Sequence, residues 1–135
     1  MALKRTEVSA AVLGSSDPRA LSAFYERLLG WIVKTNEPPR PGQPPEDGWV
    51  MLKPPSGGTG LSFQYEPGYA APVWPTTPGE QQMMVHLDIA VEHLDDGVAL
   101  ARELGATVAE HQPQEGVRVM LDPAGHPFCL FEHPH

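Results

Sequence analysis

Asp17-Pro18-Arg19-Ala20-Leu21-Ser22-Ala23-Phe24-Tyr25-Glu26-Arg27-Leu28-Leu29-Gly30 is a helix that carries its own start and stop signals. Asp17 is an N-cap, because its carboxylate can accept the backbone N–H groups that a first turn leaves unpaired. Pro18 follows at the first helical position, where a missing N–H costs nothing. Leu21, Phe24 and Leu28 recur at three and four residues and form one apolar face. Gly30 ends the run, since a residue without Cβ turns left-handed freely.

On either side of this helix the pattern changes. Val8 to Leu13 is a short apolar run that suits a buried strand, and Trp31 to Lys34 reads as another. Residues 36–48 hold Pro38, Pro39, Pro41, Pro44 and Pro45, which excludes regular structure there. Trp49 to Leu52 and Leu61 to Tyr65 are the next strands, joined by the turn Pro54-Pro55-Ser56-Gly57-Gly58. A second proline-rich stretch, 66–82, is the linker. After it the order begins again. Met84 to Val91 reads as a strand, and Leu94, Val98, Ala101 and Leu104 mark a helix face that Gly105 ends. Thr107 to Glu110, Val117 to Leu121 and Phe128 to Phe131 are strands, with Asp122-Pro123-Ala124-Gly125 turning before the last.

Each half therefore reads strand, helix, strand, strand, strand. The expected fold is α+β: two βαβββ modules, 6–66 and 83–133, forming a curved sheet around one cavity. The repeat is visible in the residues themselves. Leu29-Gly30 falls on Leu104-Gly105 at an offset of 75, and Pro55-Ser56-Gly57 on Pro123-Ala124-Gly125 at an offset of 68. His86 falls on Ala10 at an offset of 76. Carrying the offset of 68 back from Glu132 gives Gln64.

Nine basic and 17 acidic residues leave a net charge of -8, which repels phosphate backbones and points away from nucleic-acid partners. Cys129 is the only cysteine, so an internal disulfide and the cysteine-rich zinc modules are ruled out. Between Phe128 and Leu130 it reads as a buried, inert thiol. The N-terminal residues lack the apolar core of a signal peptide, and no stretch approaches the roughly 20 apolar residues of a membrane span. A cytoplasmic location is expected.

The Phe24-Tyr25 pair with its following Leu-Gly, His86-Leu87-Asp88, and Asp122-Pro123-Ala124-Gly125-His126-Pro127-Phe128 recur here in the order seen in one superfamily. The chain resembles the vicinal oxygen chelate superfamily: glyoxalases, bleomycin-resistance proteins and extradiol dioxygenases. That resemblance implies a divalent metal (zinc, nickel, iron or manganese) held by four strand positions, which here are Ala10, Gln64, His86 and Glu132. Other members bind a drug without a metal. Ala10 offers no donor and Gln64 only a neutral amide oxygen, whereas a facial triad needs a third strong ligand. Any metal site is thus expected to be weak, made of His86, Glu132 and Gln64, and no cofactor is the first expectation.

Three functions stay open on these residues. One is a binding protein for a flat or hydrophobic small molecule. Another is a metal-dependent lyase, isomerase or dioxygenase. The third is a metal-free enzyme with His86 and Glu132 as a catalytic acid–base pair. The plainer readings are a core His86 bonded to Glu132 and a solvated Glu132. Asp88 alternates with His86 and can orient its imidazole. Met51, Phe63 and Met120 are expected to line the cavity beside Gln64. Tyr69 and Trp74 are expected to close its mouth; alternatively Trp49 packs in the core and Trp74 caps it. His93 and His111 read as surface residues, and His126, His133 and His135 carry no assigned role. A homodimer is expected from the superfamily's habit of pairing modules.

Overall fold

The computed structural model describes residues 5–134, so the leading residues 1–4 and His135 lie outside the described residues. The chain forms two compact units that meet in sequence at Tyr69 and Ala70. The first holds β1 (Ala10–Ser15), α1 (Pro18–Leu29), β2 (Ile32–Glu37), β3 (Trp49–Lys53) and β4 (Gly60–Tyr65). The second holds β5 (Leu87–Val91), α2 (Leu94–Glu103), β6 (Thr107–Val108), β7 (Val117–Leu121) and β8 (Pro127–Glu132). Both are βαβββ modules, and the fold is α+β as the sequence implies.

The two sheets have the same topology. Their strand orders are β1-β4-β3-β2 and β5-β8-β7-β6, with the first pair parallel and the others antiparallel. A parallel pair needs a crossover, and β2 and β3 (or β6 and β7) fill the space between its members in sequence. β2 is an edge strand, and a register shift between Val33 and Thr35 interrupts its pairing.

Each sheet is covered by its helix on one face, and the core lies there. Asp17 accepts the Ala20 N–H at 3.1 Å, and Gly30 closes α1 with φ 69°. Leu21, Phe24 and Tyr25 of α1 are buried, as are Leu61 and Phe63 of β4, on which α1 packs. The Tyr25 and Phe63 rings stack with centroids 5.6 Å apart. In the second module Leu94 and Ala101 of α2 and Met120, Phe128 and Leu130 of the sheet are buried in the same way.

The proline-rich loop after β2 is held by charge. Asp47, only 1% exposed, takes both prongs of the Arg40 guanidinium, Nη2 at 2.7 Å and Nε at 3.0 Å. The Arg40 N–H donates to the same carboxylate at 2.9 Å. Arg19 of α1 ties the loop down by donating to the carbonyls of Asp47 and Glu37. The Arg40 side chain, then its backbone N–H, hold the Asp47 carboxyl far below the usual carboxylate range. A folded-state pKa below the unfolded one gives stability that is complete above the unfolded value, near 4. It is lost as pH falls toward the lowered folded value. Asp47→Asn is therefore expected to lower the melting temperature at pH 7 and to flatten its fall below about pH 4. Melting curves for parent and variant across pH 2–7 test this; parallel acid limbs would reject it.

Candidate functional site

The faces turned away from the helices carry the polar and exposed side chains. Strand alternation places Ala10 and Val12 of β1, Trp49 and Met51 of β3, and Ser62 and Gln64 of β4 on one such face. With Ser9 they line a cavity of about 340 Å³ in the first module. Trp49, expected either as core or beside the cavity, is 37% exposed and belongs to the cavity. Met51 and Gln64 line it too, as the sequence suggests. The Gln64 amide donates to Glu66 Oε1 at 2.6 Å, which fixes its carbonyl oxygen as the acceptor on that face.

In the second module the same face holds His86, Asp88, Val117, Cys129 and Phe131, which with Gln114 line a cavity of about 310 Å³. His86 immediately precedes β5, and its Nε2 lies 3.0 Å from Asp88 Oδ1, so Asp88 orients the imidazole. Asp88 and Cys129 are register partners in adjacent parallel strands, and their side chains leave the sheet side by side. Burial pushes the Cys129 thiol up, and the charge and hydrogen bond of Asp88 push it further, so the free thiol keeps its proton at neutral pH. The loop bearing Gln114 is anchored by Gln112, whose side chain bonds the Ala109 and Val119 carbonyls and the Val119 N–H, each at 2.8 Å.

Two expected wall residues sit elsewhere. Phe63 and Met120 are fully buried on the helix faces, so they belong to the core and not to a cavity wall. Trp74 donates its indole N–H to the His111 carbonyl at 3.1 Å and leans its ring on the His111 imidazole. That anchors it on the loop between β6 and β7. Tyr69 is half-buried in a turn, where its N–H bonds the Glu66 carbonyl.

Glu132 is the largest correction. Its register partner is Val91, whose side chain packs on Gly97 of α2, so Glu132 stands on the helix face. There Oε2 accepts the Leu94 N–H at 3.0 Å and caps α2. His93, at the N-cap position, makes no side-chain cap bond, and a carboxylate at this helix end is favoured by the dipole as well. The expected pairing of Glu132 with His86 does not form.

The cause is one residue. Trp49 and Val117 are equivalent at an offset of 68, but their strand partners, Gln64 and Phe131, differ by 67. The turn between β7 and β8 is one residue shorter than that between β3 and β4. Asp122 tightens it by accepting the Ala124 and His126 N–H groups, both at 2.9 Å. A one-residue slip exchanges the two faces of a strand. Gln64 therefore corresponds to Phe131, and Cys129 to Ser62. The buried reading of Cys129 fails for the same reason: Phe128 and Leu130 point into the core, while Cys129 points into the cavity.

A metal at the four expected positions finds little to hold it. Ala10 has no donor, Gln64 offers only a neutral amide oxygen, and Glu132 is a helix cap. Of the four, only His86 offers a strong donor in its expected place, beside the neutral Gln64 oxygen.

A glyoxalase-like domain model matches residues 10–131. No curated protein matches the chain in sequence at a significant level. Among solved structures, a glyoxalase family protein from Enterococcus faecalis shares 25% identity, with 92% of this chain and 95% of that one covered, at TM-score 0.64. TnmS3, an antibiotic binding protein from Streptomyces sp. CB03234, is 18% identical over 98% and 100% of the chains, at TM-score 0.58. The fosfomycin resistance protein FosX from Listeria monocytogenes, solved with Mn(II), is 13% identical over 94% and 92%, at TM-score 0.67. A repeated βαβββ fold with an open face on each sheet, together with a match running from β1 to β8, establishes that this chain belongs to the glyoxalase-like domain family.

Proposed function

We propose that the protein binds a flat, largely apolar small molecule on the open face of its first module and acts by holding it. One observation carries this reading: Trp49, Met51, Val12 and Ala10 form an apolar wall around a single oriented amide, Gln64. An apolar cleft with few convergent polar groups is the usual form of a small-molecule site. Trp49 is exposed enough to stack on an aromatic ring, and the Gln64 carbonyl can accept from its polar edge. TnmS3, described as an antibiotic binding protein, supports the ligand class. The acid–base reading loses support, because the expected His86–Glu132 pair is not formed.

Tryptophan fluorescence, screened against flat aromatic antibiotics, tests the proposal. A binding compound is expected to quench the emission, and Trp49→Leu to remove most of the quench. Gln64→Ala is expected to weaken binding by about 1 kcal/mol, the net worth of one hydrogen bond. Glu132→Ala serves as the control: it costs about 1 kcal/mol of stability as a lost cap and leaves affinity unchanged. Equal affinity in parent, Trp49→Leu and Gln64→Ala would move the site away from this face.

A further inference from the structure

The two modules differ most where their sheets are most alike. Ala10, Val12 and Ser62 of the first correspond to His86, Asp88 and Cys129 of the second, so an apolar corner is replaced by an imidazole, a carboxylate and a thiol. One donor atom from each of the three lies within 4.8 Å of the other two. A tetrahedral shell with bonds of 2.0–2.3 Å sets its donors roughly 3.3–3.8 Å apart, so modest side-chain rotation closes the set without moving a strand.

We infer that His86, Asp88 and Cys129 form an exchangeable zinc site lying wholly within the second module. Asp88 and Cys129 are fixed by their register across β5 and β8, and His86 is drawn to the same point by Asp88. A nitrogen, an oxygen and a sulfur donor suit zinc, and cobalt as its spectroscopic substitute. The thiolate selects against manganese, magnesium and calcium. Cys129 releases its proton to solvent when the S–metal bond forms. Three protein ligands leave a fourth position that faces the cavity beside Gln114 and Phe131, the form of an open site and not of a closed structural one. His86 and Asp88 side chains are 39% and 62% exposed, which makes the ion exchangeable. A net charge of -8 favours its approach.

The test needs only the metal, so its result is separate from the small-molecule reading of the first module. Chelator-treated, desalted full-length protein is titrated with Co2+ and followed by absorbance. A near-ultraviolet thiolate-to-cobalt band should rise and saturate at one equivalent, and Zn2+ should abolish it. Because Cys129 is the only cysteine, that band reports this residue alone. Asp88→Asn and His86→Ala should keep the band but raise the half-saturating Co2+ concentration at least about tenfold, the lower end for loss of even an outer-shell partner. Cys129→Ser should lose the band, and if it fails to fold, Asp88→Asn, at an exposed position, decides. Absence of the band at millimolar Co2+ overturns the site. So does a titration that neither Asp88→Asn nor His86→Ala shifts.

Discussion

Phe63→Ala is expected to lower the unfolding free energy by about 3–5 kcal/mol, the range for deleting a buried aromatic ring. Phe63 is completely buried, its ring stacks on Tyr25 at 5.6 Å, and Tyr25 in turn meets Phe24 edge-on at 4.8 Å. Removing a ring from such a cluster leaves a void that α1 and β4 fill only partly, because both are pinned by backbone hydrogen bonds. Against a typical total of 5–15 kcal/mol the loss is large, so the variant should be partly unfolded on warming. Urea denaturation at constant slope gives the number, and a loss below 1 kcal/mol would mean the ring is not a core element. The same substitution separates core from site. Folded Phe63→Ala protein should bind a first-module ligand as the parent does, since Phe63 faces the helix and Gln64 faces the cavity.

Gly48→Ala is expected to cost on the order of 3 kcal/mol, combining backbone strain with overpacking. Gly48 has φ 113°, a region that side-chain-bearing residues rarely adopt. An added Cβ would overlap the Glu37 carbonyl oxygen and come within 2.8 Å of Arg19 Nη2. Arg19 is the residue that ties α1 to this loop, so relieving the overlap also loosens the Asp47 clamp. Gly57→Ala isolates the two contributions, because Gly57 has φ 85° and open space around its Cβ position. It should cost only the conformational part, about 1–2 kcal/mol. Thermal unfolding of the two variants side by side checks this. Equal losses would show that the close approach at Gly48 contributes nothing.

Binding predictions depend on which face of a strand a residue occupies, and there local sequence and tertiary structure diverge. The elements themselves were legible. Asp17, Pro18 and Gly30 announce α1, and the apolar run Phe128, Cys129, Leu130, Phe131 after the Asp122-Pro123-Ala124-Gly125 turn announces β8, because caps, turns and apolar runs are properties of neighbouring residues. The equivalence of His86 with Ala10 was also legible, since no insertion separates those strands from their helices. Gln64 reaches its face even though the offset that pointed to it, 68 from Glu132, is not the register offset of 67.

What sequence could not decide was the register of β8. Pro55-Ser56-Gly57 and Pro123-Ala124-Gly125 match so well that one offset is naturally carried through both, yet the Asp122 turn closes one residue sooner. That single residue sends Glu132 to the helix face and brings Cys129 beside Asp88. Helix-capping demand, too, is invisible locally: His93 cannot cap α2, and only the folded chain shows a carboxylate 38 residues away taking its place. Sequence alone therefore determined the two modules and the order of their elements, because caps, turns and apolar periods are short-range. Tertiary structure alone decided which side chains share the open faces, because a strand's facing is set by hydrogen bonds to its partner strand, and a shift of one residue exchanges every side chain from one face to the other.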